Sequence, residues 1–358
     1  MEKFQAWALL ICGIVFKVAK DRRAARRQKF LGFWWNSRCL SRSLEDAKLA
    51  NYLKVLEETA LKSALSLKEL QQLAGKMHRA VMTLPPGAAC LLHGIFTAMA
   101  GLKLPWHKRR ISRDFKEDLR LIHSLLRRNM GKGYYSYAGF REGPGIRTDA
   151  SKSESYTGGG FISQCGRFDF WVYGKSASRK PIDFLEGDTV REACIKMGPL
   201  WKGCRIHIEI DNSAFELSLV KGRSRAARLN EILVDTFVLQ LMYGFVLEPS
   251  WIASADNTLA DILSRWAPLG TGNRMRYLFQ IAYSDLRDFL WETARWDRAH
   301  GVMGVGTPVA AELLGVSSLA PFCGAGRDRH LPHGQEYFPK SRSKGWGEPW
   351  KQLPWTCG

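Results

Sequence analysis

The chain has 358 residues, 46% of them hydrophobic, with 53 Lys and Arg against 34 Asp and Glu and a net charge of +19. That length admits two domains or one domain with extensions, and the apolar share excludes a chain too polar to bury a core. The charge excess points to a polyanionic partner. The eight Cys show no Cys-x-x-Cys spacing, which speaks against a metal knuckle and fits ordinary buried thiols in a reducing, intracellular setting, cytoplasm or nucleus. Ala6 to Val18 is largely apolar but shorter than the ~20 residues a membrane span needs, so no membrane association is expected. A secretory signal fits its hydrophobicity, but Lys17 interrupts the run and no small-x-small cleavage site follows, which favours a buried strand.

In chain order, Gly13 to Val18 reads as a strand, followed by a basic run from Lys20 to Lys29 and a second strand over Phe30 to Trp35. Ser43-Leu44-Glu45-Asp46 is a helix-opening pattern with Leu44, Leu49, Leu53 and Leu56 as an apolar stripe. Ser66-Leu67-Lys68-Glu69 is a capping box, with Leu70, Leu73, Met77 and Val81 behind it and Pro85-Pro86 as the stop. An apolar helix is predicted over Ala88 to Leu102 and an amphipathic one over Ser112 to Met130, through Phe115, Leu119, Ile122 and Leu126. The first 42 residues thus read as a strand hairpin, and residues 43–143 as a helical region.

Gly131-Lys132-Gly133 and Gly143-Pro144-Gly145 punctuate a change of character. Three short strands follow in succession: one through Ile146 to Ala150, one through Gly158 to Ile162, one through Phe168 to Val172. A helix is predicted from about Asp183 to Met197. A strand then alternates Ile206, Ile208 and Ile210 with polar residues and ends at Asp211. A short helix, a longer one from about Ala226 to Tyr243, a strand to Ile252 and a last helix complete the order. The fold class predicted for residues 144–267 is α/β, a mixed βββ-α-β-α-β-α sheet with helices on its faces. Residues 268–358 read as an extension, partly helical over Tyr283 to Trp296 and then low in order.

Four carboxylates take set places in these elements: Asp149 in the first strand, Glu186 near the start of the first helix, Asp211 at the end of the fourth strand and Asp261 at the start of the last helix. Phosphodiester hydrolysis needs little more from side chains than the positioning of two cations ~3.5–4 Å apart. Mg²⁺ takes oxygen ligands and keeps several waters, so three or four carboxylates suffice. Glu192 lies on the same predicted helix as Glu186 and competes with it for the role. Each residue alone also has a structural reading, as a turn, cap or first-turn carboxylate; their joint order favours the site.

The run Thr148-Asp149-Ala150-Ser151, with Asp211-Asn212, Gly222-Arg223-Ser224, Leu229-Asn230 and above all Trp251-Ile252 through Asn257-Thr258-Leu259-Ala260-Asp261-Ile262-Leu263-Ser264-Arg265, resembles the reverse transcriptase and ribonuclease H region of DIRS-type or Ngaro-type retroelements. The resemblance covers residues 13 to 266. It implies a ribonuclease H-like fold and Mg²⁺-dependent cutting, with two ions that Mn²⁺ can replace, of the RNA strand of an RNA–DNA hybrid. It makes Asp149, Glu186, Asp211 and Asp261 the metal ligands. Phe30-Leu31-Gly32 and Leu67-Lys68-Glu69-Leu70 are similar to the end of the palm and the thumb and connection. The Tyr-x-Asp-Asp polymerase motif does not occur, so no polymerase activity is expected of this chain alone. The loop before the last Asp reads Ala253-Ser254-Ala255, without the His that many ribonucleases H carry there.

Asn212, Lys221, Arg223, Arg225 and Asn257 are the candidate nucleic-acid contacts. Their structural alternatives are a helix cap for Asn212, a solvated loop for the basic residues and an internal hydrogen bond for Asn257. Two rival functions stand beside the nuclease: a retroelement remnant that binds nucleic acid without cutting, and an integrase-like strand transferase using Asp149, Asp211 and Glu248.

Overall fold

The structure, a computed structural model, describes residues 26–37, 41–128, 132–133, 140–165 and 167–265. The strand expected at Gly13 to Val18, the helix expected at Tyr283 to Trp296 and the extension around it lie outside these residues. Arg27–Phe30 (β1) and Phe33–Asn36 (β2) pair antiparallel across Leu31 and Gly32. Both turn residues have positive φ, +51° and +77°, the backbone of the tight turns that match strand twist. The continuous strand expected over Phe30 to Trp35 is therefore a hairpin, with Phe30 and Leu31 exposed and Phe33 buried. Ser41–Leu44 (β3) adds to β2 with Phe33 opposite Leu44 and Trp34 opposite Ser43. That cross-strand pairing holds Ser43 and Leu44 extended, so they do not open a helix. The helix α1, Asp46–Leu61, begins after Glu45 with no side-chain cap.

Ala64–Ser66 (β4) leads into α2, Leu67–Val81, where the predicted capping box is complete. Ser66 Oγ accepts from the Glu69 N–H at 3.3 Å, and the Ser66 N–H donates to Glu69 Oε2 at 2.8 Å. The predicted stripe Leu70, Leu73, Met77 and Val81 is buried. The apolar run after it forms two pieces, a 3₁₀ turn over Ala88–Leu92 and α3 over His93–Met99. Gly101, at φ +78°, turns the chain away before Leu102. Lys108–Arg110 (β5) returns to pair with β4. In α4, Arg113–Arg128, Ser112 Oγ accepts from the Phe115 N–H at 3.1 Å, and Phe115, Leu119, Ile122 and Leu126 enter the core as predicted. Lys132–Gly133 (β6) closes the first sheet against β3.

The second sheet has the strand order β10-β9-β8-β11-β12. Ile146–Lys152 (β8), Thr157–Ser163 (β9) and Phe168–Val172 (β10) form an antiparallel meander. Cys204–Ile210 (β11) runs parallel to β8, and Val246–Trp251 (β12) parallel to β11. Arg141–Glu142 (β7) lies beside the start of β11. Gly143 donates its N–H to the Arg205 carbonyl at 2.9 Å, at a point where a Cβ would come within 2.4 Å of Ile206. The helices are α5, Lys175–Ser178; α6, Ile182–Met197; α7, Ser213–Lys221; α8, Ala227–Tyr243; and α9, Thr258–Ser264. This is the mixed α/β sheet in the βββ-α-β-α-β-α order that the sequence predicts, with α7 and α8 both placed between β11 and β12.

One apolar core joins the helical region to the sheet. It runs from Leu70, Met77 and Leu91 through Phe237 and Ile232 to Ile206 and Ile208. Across the seam, Asn230 Nδ2 donates to the Cys90 carbonyl at 2.9 Å. Gly222, at φ +61°, lies against Gly87, at φ +89°, so closely that a Cβ on Gly222 would meet the Gly87 Cα at 2.9 Å. Among the described residues, Cys90, Cys165, Cys194 and Cys204 are buried and form no disulfide. No helix among the described residues is long and apolar enough to cross a membrane.

Candidate metal centre

Asp149 sits in the middle of β8, opposite Gly160 of β9. Glu186 lies in the second turn of α6, and Asp211 follows the last residue of β11. Carboxylate oxygens from these three lie within 4.8 Å of one another. Asp149 is 4% and Glu186 3% exposed. Asp149 Oδ2 and Glu186 Oε2 are buried with no hydrogen-bond donor among the described residues. Glu186 Oε1 accepts only a long bond, 3.3 Å, from the Ala150 N–H. Buried carboxylate oxygens facing one another without donors are a set that fits a divalent cation.

Electrostatics agree. Burial pushes the Asp149 carboxyl up to about 7, with Asp211 and Asp261 adding repulsion, against a hydrogen bond from Ser264 and the charge of Arg265. Glu186 is raised well above the usual range, first by burial and then by Asp149 and Asp211. Asp211 is raised by burial and by Asp261, against its hydrogen bond with Ser254. Between the ordinary Asp value of 3.8 and about 7, folded Asp149 keeps a proton that the unfolded chain releases, so stability falls as pH rises through that window. The metal-free wild type is expected to lose more stability from pH 4 to pH 7 than Asp149→Asn does, by up to about 4 kcal/mol. Urea midpoints of both proteins in EDTA, across that range, measure the difference.

The loop after β12 holds Asp211 in place. Ser254 Oγ donates to Asp211 Oδ2 at 3.0 Å, and the Trp251 indole N–H donates to the Asp211 carbonyl at 3.0 Å. Arg147 pairs with Glu209 at 2.6 Å and donates to the Asp256 carbonyl at 3.3 Å, tying the same loop to β8 and β11. Neither Ser254 nor Arg147 carries a sequence signal for this role, because both partners are remote in the chain.

Three consecutive glycines in β9 let helices approach beside Asp149 from both faces. A Cβ on Gly160 would come within 2.7 Å of Leu263 Cβ and 2.9 Å of Ser264 N, and one on Gly158 within 2.2 Å of the Ser264 carbonyl. Gly159 faces α6, where a Cβ would meet Thr189 Oγ1 at 2.7 Å. The sheet thereby brings α9, and with it Asp261, close enough to raise the other three carboxyls.

Asp261 itself stands apart from the converging three. Its Oδ1 accepts from Arg265 Nε at 2.7 Å, and its side chain is 39% exposed. Glu192, the rival of Glu186, lies 3.7 Å from Arg191, which also binds Asp188 and reaches Asp235 of α8 at 3.4 Å. Glu248 pairs with Arg205 at 3.6 Å, toward the middle of β12 and outside the cluster.

Of the candidate nucleic-acid contacts, Lys221, Arg223 and Arg225 are exposed. Asn212 caps α7, its Oδ1 accepting from the Phe215 N–H at 3.0 Å. Asn257 is fully buried and donates to the Thr148 carbonyl at 3.0 Å, so it positions the strand carrying Asp149 and does not present itself to a ligand. Asn257→Ala strands that carbonyl in the core. It is expected to lower stability by about 1–3 kcal/mol, read as a shift of the urea midpoint at constant slope.

The chain matches no protein-family model and no curated protein. Among solved structures it is similar to the RNase H1 of the halophilic archaeon Halobacterium salinarum NRC-1, at 17% identity over 35% of this chain and 96% of that one, with a TM-score of 0.31. It is similar to the N-terminal RNase H domain of a Mycobacterium tuberculosis protein, at 14% identity over 39% of this chain and 99% of that one, TM-score 0.30. The foamy viral protease-reverse transcriptase, in a structure with RNA/DNA hybrid, matches at 14% identity over 64% of this chain and 29% of that one, TM-score 0.26.

Proposed function

We propose that this chain is a metal-dependent nuclease that cleaves the RNA strand of RNA–DNA hybrids, as part of a reverse transcriptase of the DIRS or Ngaro type. The observation that carries the reading is the convergence of Asp149, Glu186 and Asp211, two of them buried and bearing oxygens without donors. Asp149, Glu186 and Asp211 would hold Mg²⁺, with Asp261 joining them once released from Arg265. A bound pair of such ions supplies an activated water and a counter-charge for the leaving oxygen. The chain's own part is to fix the carboxylates: Ser254 and Trp251 hold Asp211, and Asn257 holds the strand under Asp149. The exposed Lys221, Arg223 and Arg225 would lie along the phosphates, in keeping with the net charge of +19. The hybrid as substrate rests on the sequence resemblance, the division of the chain at 42, 143 and 267 on the order of its predicted elements, and the intracellular setting on its cysteine usage.

The test is direct. The full chain, in Mn²⁺ or Mg²⁺, should nick the RNA of an end-labelled hybrid and leave 3′-hydroxyl and 5′-phosphate ends, with EDTA abolishing the cut. Protein that binds the hybrid yet leaves it intact at every metal concentration overturns the reading. A second reading, binding without cutting, is favoured by one observation: Arg265 occupies Asp261, the fourth expected ligand. The same assay separates the two.

A further inference from the structure

The segment Lys103–Arg110 reads Lys-Leu-Pro-Trp-His-Lys-Arg-Arg, with no carboxylate among its residues. Trp106 within it is 68% exposed, in a residue type that is mostly buried in folded proteins. Lys103, Lys108, Arg109 and Arg110 are exposed around it. The frame is nonetheless fixed. The Leu67 N–H donates to the His107 carbonyl at 2.9 Å, the Lys68 N–H to the Pro105 carbonyl at 3.1 Å, and the His107 N–H to the Leu104 carbonyl at 3.0 Å. Arg109 Nη2 donates to the Ala100 carbonyl at 2.7 Å, and the β4–β5 pairing anchors the outgoing strand. The His107 ring meets the indole edge-on, 6.5 Å between centroids. A large aromatic side chain is thus held in solvent by backbone hydrogen bonds, within a segment that carries four exposed cationic residues.

We infer that this arm is a binding surface for single-stranded nucleic acid, distinct from the carboxylate cluster, with an unpaired base stacking on Trp106. Charge decides against a protein partner, because the cores of protein interfaces are depleted of Lys and this segment carries only positive charge. Duplex is disfavoured because its bases are already stacked, whereas an unpaired base offers its face to an aromatic ring. Arg109 and Arg110 also line a cavity of about 450 Å³ that includes Asp114, Asp118 and Glu231, an acidic lining that repels phosphate. The strand's backbone is therefore assigned to Lys103 and Lys108.

Fluorescence anisotropy of the full chain with a labelled oligo-dT of about 12 nucleotides, within the span one single-strand module occupies, tests this. Trp106→Ala is expected to weaken binding about five- to 150-fold, the equivalent of ~1–3 kcal/mol per stacked base, while Trp106→Phe keeps most of it. Lys103→Ala with Lys108→Ala should reduce the salt slope by about 0.7 for each phosphate that is no longer neutralised. Because Trp106 packs on little, circular dichroism and melting of the variants should match the wild type. Equal oligo-dT affinity for wild type and Trp106→Ala overturns the inference. So does a wild type that self-associates through this face while Trp106→Ala does not. Either result leaves the metal centre's reading standing, since hybrid cleavage is measured separately.

Discussion

Asp149→Asn is expected to abolish hybrid cleavage, lowering the rate by about 10²–10³-fold or more, the range seen when a group that stabilises transition-state charge is removed. The protein should meanwhile melt at or above the wild-type temperature at neutral pH. Both halves follow from one environment. The Asp149 carboxyl is buried against Glu186 and Asp211 and pushed up to about 7, so its charge opposes folding unless a cation sits among the three. An amide of the same shape carries no charge to desolvate and offers a far weaker ligand. Added Mn²⁺ should accordingly raise the melting temperature of the wild type and leave Asp149→Asn nearly unmoved, because ligand binding to the folded state alone stabilises it. Glu192→Gln serves as the contrast, since Glu192 faces Arg191 and not the cluster. A metal response that survives in Asp149→Asn, or cleavage that survives in it, would sink the assignment.

Gly160→Val is the second large effect. The strand pairs Gly160 with Asp149, and α9 lies directly over it, 2.7 Å from where a Cβ would stand. The atoms in the way include the Leu263 backbone carbon and the Ser264 nitrogen, which cannot swing aside as a side-chain tip can. The helix must therefore lift or the strand must bend, at ~1–3 kcal/mol for overpacking. Lifting α9 also withdraws Asp261 and Ser264, so cleavage should fall further than stability alone accounts for. Gly174→Ala is the matched control, because a Cβ there meets nothing within 4 Å. Chemical denaturation and the hybrid assay on the same samples read both quantities. A fully active, fully stable Gly160→Val would show that α9 does not depend on this close approach.

The sheet was legible because its signals are local. Ile206, Ile208 and Ile210 alternate, the capping box at Ser66 is four residues long, and three successive apolar runs make a meander. Asp149, Glu186 and Asp211 were legible as a set because their positions follow from that element order. What escaped reading is pairing at a distance. The β4–β5 ribbon joins three-residue strands more than forty positions apart, too short to carry a period. The bend at Leu31-Gly32 splits an aromatic-rich run that reads as one strand, and the break at Gly101 stops an apolar helix early. One ion pair at the site was readable as well. Arg265 lies four residues past Asp261, the spacing of a helical ion pair, and that pair takes the acid expected to be a ligand. Asp188 and Arg191, three apart, likewise announce the network that draws Glu192 away.

The meeting of Gly87 with Gly222 has a further consequence. Main chain rests on main chain there, with Phe237 against the same turn and Asn230 tied to Cys90. A joint with no side chains at its closest point has no lubricant: sliding it by one residue would drive a Cβ into backbone. The helical half is thereby seated against the sheet main chain to main chain. Cutting the polypeptide near residue 143 to isolate the sheet would strip Phe237 of the Gly87 turn and Asn230 of the Cys90 carbonyl, so the sheet's α8 keeps its packing only with the helices that precede the acids.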